Sequence, residues 1–397
     1  MLDFCIVRQP IYDAVGALRG YEIRFRDTED GRDAFSQSLV TGTFDIVRSG
    51  IPAYISCSRV QLLDSAFQML NPGSTVLLLP RDLAPDDEVD AVLMAYKAAG
   101  GIIGLDEVDA EPGANEAFGD LAAWARVDLR EDDLTTLGRI CDRVSTGKRQ
   151  LLADHILDQQ QYDMAQQLGF DAYEGEFFAN PEPLPSAQLP ATTVAAIRLL
   201  GMSRQSDISD RQLEDAIAVD PVLTFQLLRL VNSAAVGARG VSSIGQALRL
   251  IGRSSFQRWL SVAIAASRKA KTGVDQQLIR QAVERARFLE QMTGGNRDTG
   301  TLFLVGLFSM MDSVFRMPLE DILARVALSD DANSALLQQA GLYAAPLQIA
   351  ESYELGMFEN ASEIASSAGI ESTKLGDMYT SALSWASEAL SSLTPAR

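Results

Sequence analysis

Histidine is almost missing from this 397-residue chain: His155 stands alone. Histidine-rich metal centres, His–Asp phosphohydrolase sites and triads with a histidine base are therefore hard to assemble, and His155 itself reads as a structural residue. Cysteine is nearly as scarce. Cys5, Cys57 and Cys141 are widely spaced and form no CxxC pattern, which fits a reducing compartment and gives neither a disulfide framework nor a thiolate zinc site. No apolar run reaches membrane-spanning length, because 302–311 is only about half of the ~20 residues a span needs. The amino-terminal residues lack a basic segment followed by an apolar run, so no signal peptide is expected and the location reads as cytoplasmic. Basic patches are missing too. Acidic residues number 53 against 34 basic, a formal charge of −19, and Arg198–Arg204 and Arg268–Lys271 are too short to override it. Nucleic acids and anionic membranes are thereby excluded as partners. Internal repeats and low-complexity tracts are absent.

What is present is apolar and patterned. Hydrophobic residues make up 47% of the chain and charged residues 22%, enough for large cores, and the length suits two or three domains. Over the first 180 or so residues, short apolar runs at 4–8, 20–25, 53–57, 75–79, 101–105, 124–129 and 150–153 read as strands, with an eighth near 170–173. Helical patterns at 34–49, 86–99, 132–144 and 158–168 fall between them. Alternation of this kind, with wholly apolar strands, predicts a parallel sheet closed into a trimmed (β/α)8-type barrel. Pro181, Pro183, Pro185 and Pro190 then interrupt regular structure. We divide the chain into a barrel at 1–182, a proline-rich linker at 183–192 and a helical domain at 193–397. The fold class is α/β plus all-α.

From Thr193 onward the strong patterns are helical. Asp220 suits a helix cap and Pro221 the first turn of 222–231, where a missing N–H costs nothing. Ser243 suits the cap of 244–251, with Gly252 closing it. Further helices are expected at 256–269, 276–292, 302–315, 319–325, 332–340, 346–355 and 362–368. The apolar set Val222, Leu223, Phe225, Leu227, Leu228, Leu230 and Val231 wraps most of its helix and reads as core.

Two families are resembled, in order along the chain. Arg8-Gln9-Pro10-Ile11-Tyr12-Asp13 and Gly20-Tyr21-Glu22-Ile23-Arg24-Phe25-Arg26 resemble the opening strands of EAL-type cyclic di-GMP phosphodiesterase domains. Leu105-Asp106-Glu107-Val108, Arg126-Val127-Asp128, Leu152-Ala153-Asp154 and Glu174-Gly175-Glu176-Phe177-Phe178 extend the match over about 1–182. The resemblance implies acidic and amide ligands at strand ends holding two divalent cations. Glu22, Asp106, Glu107 and Asp128 keep the family's positions. Ser56 replaces an asparagine ligand, Leu78 a glutamate, Arg126 a lysine, Asp154 a glutamate and Glu174 a glutamine. Leu78 has no lone pair to offer, and shortening a carboxylate arm misplaces its oxygen by about 1 Å, which can cost two orders of magnitude in rate. Arg26 and Arg126 either contact nucleotide phosphate or are strand-end charges paired with Glu22, Asp106 or Asp128; we favour pairing.

The run 220–233, from Asp220-Pro221 through Arg229 and Asn232 to Ser233, resembles an HDOD domain, and Val241-Ser242-Ser243-Ile244 with Leu250-Ile251-Gly252 continue it. Where catalytic relatives place His-Asp inside an apolar helix, this chain has Ser309-Met310. Arg229 and Asn232, three apart and so on one helix face, anchor buried polar contacts or line a partner groove. The expectation is a non-enzyme without metal or cofactor, a signalling scaffold in cyclic di-GMP-linked or two-component regulation that acts on protein partners. The alternatives are a cyclic di-GMP receptor and a residual phosphodiesterase.

Overall fold

The computed structural model describes residues 5–26, 32–130, 133–145, 149–181, 189–205, 207–232, 240–268, 270–292, 298–326 and 328–393. Eight strands close a barrel in chain order: β1 (Ile6–Asp13), β2 (Leu18–Phe25), β3 (Ala53–Ser56), β4 (Thr75–Leu79), β5 (Ile102–Val108), β6 (Trp124–Asp128), β7 (Gln150–Asp154) and β8 (Ala172–Tyr173). Strands β2 to β8 run parallel as expected. β1 does not: it is antiparallel to both β2 and β8. The cause is the short link between β1 and β2, where Gly16 takes φ 74° and Asp13 accepts the N–H groups of Val15 and Ala17. A link this short makes a hairpin, because a parallel crossover needs a dozen or more residues.

Aspartates start the barrel helices. Asp86, Asp133 and Asp158 each accept backbone N–H groups at the heads of Asp87–Ala98, Leu134–Val144 and Gln159–Gln167. The single helix expected over 34–49 is two, Arg32–Val40 and Thr43–Arg48, split at left-handed Gly42. Between β5 and β6 only the 3-10 turn Ala114–Phe118 forms, which is how the barrel is trimmed. Its interior is an apolar layer of Ile11, Tyr54, Val76, Leu78, Trp124, Leu152 and Ala172.

The second half is helical. Asp220 accepts the N–H groups of Val222 and Leu223 to cap Pro221–Val231, as expected. The all-core reading of that helix is corrected. Leu223, Leu227 and Val231 are buried one turn apart, whereas Val222 and Phe225 are 54% and 65% exposed. Only one face meets a neighbour. Gly252 closes a first helical segment at φ 75°, and the chain resumes helix at once to Ala266. The run over 302–315 breaks at Met310 into Thr299–Phe308 and Met311–Phe315. Helix Leu375–Leu393 was not assigned from sequence, although Leu375, Tyr379, Ala382, Leu383 and Ala386 form a buried stripe.

Helix Gly273–Gln291 docks the two halves. Val274 N–H donates to Gly16 O at 3.1 Å and Tyr21 Oη to Gln277 Oε1 at 2.9 Å. Arg8, buried 4.4 Å from the centroid of the Tyr21 ring, pairs with Glu284 at 2.5 Å and donates to Val47 O. Tyr353 Oη lies 3.3 Å from both N and O of Ile6. Apolar residues of both halves, among them Ile6, Val7, Phe288 and Tyr353, share one core.

Gly273 is needed for this approach, since a Cβ there would stand 2.5 Å from Leu18 N and 2.7 Å from Gly16 O. Gly273→Val is expected to lower the unfolding free energy by about 1–3 kcal/mol, read by urea denaturation. An unchanged midpoint and slope would show that the close contact does not constrain the junction.

Candidate functional site

In barrels of this class, chemistry gathers at the C-terminal ends of the parallel strands. Here β2 brings Glu22 and Arg24, β5 Asp106, β6 Arg126, β7 Asp154, and the residue after β8 is Glu174. All but Arg24 are buried. Arg126 sits among the acids: Nε donates to Asp106 at 2.5 Å, Nη1 bonds Glu22 and lies 3.6 Å from Asp154. Arg24 Nε reaches Glu22 at 2.5 Å, and its Nη2 is 4.0 Å from Glu174. Glu107 and His155, immediately after Asp106 and Asp154, take left-handed φ values of 50° and 56°. Each donates its N–H back to the preceding carboxylate, at 2.9 and 2.7 Å. Strain of this kind at two non-glycine residues marks a site whose surroundings hold it in place.

The two glutamates respond oppositely to this environment. Burial alone would raise Glu22, but Arg126 and Arg24 outweigh it and hold the carboxylate at about 2. Glu174 is pushed well above the ordinary range by burial and by the charges of Glu22 and Asp154. Neither Glu174 oxygen has a hydrogen-bond partner. For Arg126, burial disfavours the charge, but Asp106 and Glu22 more than restore it.

The remaining sequence candidates lie apart from this cluster. Leu78 is fully buried in the apolar layer. Ser56 ends β3 half-buried, a hydroxyl where the resemblance implies an amide. Glu107 is exposed, and partial loss of hydration at its carboxyl and then the charge of Asp106 raise its pKa. Asp128 pairs with Arg130 on the rim. Arg26, weighed as a phosphate contact or a partner of these acids, meets Glu359 of the helical half at 3.2 Å. Its chain position just past β2 sends it to the domain junction.

A cavity of about 590 Å3 separates the barrel mouth from the helices. Arg24, Asp154, His155 and Glu174 line one side, and Arg285, Ser309, Met310 and Glu351 the other. The helical position expected to be vacant of His-Asp thus opens onto the same space. Arg285 donates to Ser309 Oγ at 3.1 Å and forks onto Glu354 at 3.0 and 2.6 Å. Sequence reasoning missed Arg24, Arg285 and His155 as wall residues. For Arg24 the signal existed, because it lies two residues from Glu22 on the same strand face. Asn232 proves to be a staple, holding Leu228 O and both backbone groups of Val241. Asp220 and Pro221 are a helix start, and Arg229 is half-buried further along the same helix. Ser233 lies outside the described residues, as does 182–188 of the linker.

The residues do not fit the two divalent cations that the resemblance implies. Leu78 supplies no ligand atom, and Arg126 already engages Glu22 and Asp106. Among the described residues, no three acidic, histidine or cysteine side chains are grouped to hold a metal ion.

The HDOD domain family model matches residues 189–340. Cyclic di-GMP phosphodiesterase CdgJ of Vibrio cholerae is 25% identical over 378 residues, 88% of this chain and 84% of that protein. The uncharacterized protein YuxH of Bacillus subtilis is 22% identical, covering 96% of this chain and 97% of its own. Among solved structures, the EAL domain of Mycobacterium smegmatis DcpA covers 43% of this chain and 89% of its own at 15% identity, with TM-score 0.37. A standalone EAL protein from Vibrio cholerae O395 in its c-di-GMP bound form covers 46% and 94% at 18% identity, with TM-score 0.36. Residues 189–340 thus resemble an HDOD domain and follow the eight-stranded barrel in the chain. One expectation is corrected by these relatives. Substituted ligand positions were read as making the chain a non-enzyme, but a relative aligned along most of both chains is a phosphodiesterase by name. Among the described residues, no helix is long and apolar enough to cross a membrane.

Glu174 generates a pH dependence. Its folded pKa is raised, so its contribution to stability is whole below the unfolded value of about 4.3 and falls away as pH climbs toward the folded one. Glu22 works in reverse, contributing above about 4.3 and losing that contribution as pH drops toward 2. Glu174→Gln keeps the neutral form at every pH. It is expected to match the native chain at pH ~4 and to exceed it by about 1–3 kcal/mol at pH ~8 in chemical denaturation, the scale of one unpaired buried polar group. Parallel pH profiles for the two proteins would sink the assignment.

Proposed function

We propose that this chain is a cytoplasmic bacterial signalling protein that acts on cyclic di-GMP, with the nucleotide held in the cavity at the barrel mouth. Its working units are the barrel at 1–182, the linker at 183–192 and the helical domain at 193–397. One observation carries the reading: Arg24, Asp154 and Glu174 of the charged cluster line the cavity at the strand ends where such barrels work. The cavity's about 590 Å3 falls within the range of about 300–1,000 Å3 found for small-molecule sites. Arg24 and Arg130 are on its wall, and guanidinium forks suit phosphate oxygens. The name of the relative CdgJ supports the same nucleotide and the breaking of its phosphodiester.

Calorimetric titration of the full chain with cyclic di-GMP should give saturable binding in the micromolar range, weakened about tenfold by Arg24→Ala. Chromatography of the same mixtures, with no divalent ion added, should reveal linear dinucleotide, lost in Glu22→Gln. A flat titration together with nucleotide recovered intact would end this reading.

A second role is favoured by one surface. Val219, Val222 and Phe225 are 83%, 54% and 65% exposed around the head of one helix. Apolar side chains grouped in this way suit a protein partner. The double substitution Val222→Ser, Phe225→Ser should shift stability by less than about 0.5 kcal/mol each, since neither residue is core. It should also abolish recovery of a partner from a host extract; equal recovery would dismiss this face.

A further inference from the structure

We propose that Arg126 is a resident cation of the barrel mouth, competing with divalent ions for Glu22, Asp106 and Asp154. The guanidinium lies between acids delivered by three different strands and uses Nε and Nη1 to reach them. A divalent ion would need oxygens of those carboxylates at about 2.0–2.6 Å, in a space that the guanidinium already fills with a like charge. Arg126 is also held there, being buried and tied to acids on both sides.

Charge balance dictates the effect of removing this guanidinium. Glu22, Asp106, Asp154 and Glu174 face Arg126 and Arg24, with Glu107 and Arg130 nearby on the rim. Asp106 Oδ2 and both Glu174 oxygens are buried without a hydrogen-bond donor, so acceptor capacity already exceeds what the two arginines supply. Without Arg126 the cluster keeps only the partly exposed Arg24 as a close counter-ion, and a divalent cation becomes the nearest remedy for the repulsion.

This inference builds on the mouth being the nucleotide site, but its test uses manganese alone, so either can fail separately. The full chain is titrated with Mn2+, tracking its melting temperature and, by equilibrium dialysis, bound ion. For the native chain, millimolar Mn2+ should leave the melting temperature in place. Arg126→Gln should melt lower, recover on adding Mn2+, and bind the ion at least about tenfold more tightly, as ligand binding to the folded state requires. Adding Glu22→Gln should cancel the gain. Arg126→Lys guards against a variant that does not fold, because a compact ammonium retains the charge but cannot span both acids; it too should bind Mn2+ more tightly than the native chain. A saturable Mn2+ shift in the native chain that Glu22→Gln abolishes would overturn the proposal, as would either folded variant binding Mn2+ no better than native.

Discussion

One guanidinium among buried carboxylates sets the terms for the barrel. Several acids at the mouth of an otherwise apolar barrel would repel each other and lose their hydration, and either effect alone would push protons onto them. Arg126 prevents this for Glu22, which stays ionised despite complete burial. It cannot do so for all of them. Glu174, 4.0 Å from Arg24, is pushed well above the ordinary range by burial and by the charges of Glu22 and Asp154. The cluster is therefore a graded set, with charge concentrated where the arginine reaches and absent where it does not.

The same solution appears across the cavity. In the helical half, Arg285 is largely buried on the cavity wall and, against that burial, kept charged by Glu354, while its third nitrogen donates to Ser309. A buried arginine thus stands near each of the positions where the two resembled families imply metals. Buried ion pairs of this kind contribute little net stability, because desolvation consumes most of the Coulomb gain. Their value lies in geometry, since each guanidinium fixes two or three partners at once. The junction depends on a third such pair, Arg8 with Glu284, where the helix Gly273–Gln291 closes on β1 and β2. The cavity wall is consequently built from both halves, and its shape is tied to how they pack.

Local signals were read well. Asp220 was read as a helix start and is one, because a short acidic side chain satisfies N–H groups within its own three neighbours, and Asp86, Asp133 and Asp158 do the same in the barrel. The strands were visible as apolar runs, since a sheet covered on both faces demands them. The reversal of β1 was missed because an antiparallel strand in such a barrel has the same apolar composition as a parallel one. Phe225 was read as core because the helix is apolar nearly all round, and nothing in its spacing says which face lacks a neighbour.

The charged residues separate what sequence determines from what the fold decides. The sequence by itself picked out Glu22, Asp106, Arg126, Asp154 and Glu174 through motifs that resemble EAL-type domains, while apolar runs marked the strands that carry them. Which acid pairs with which base was decided only by closure of the barrel and docking of the helices. Arg26 and Glu359 are 333 positions apart, and Arg8 and Glu284 are 276. Backbone periodicity acts over a few residues, whereas charges pair through space with whatever the tertiary fold brings within about 4 Å.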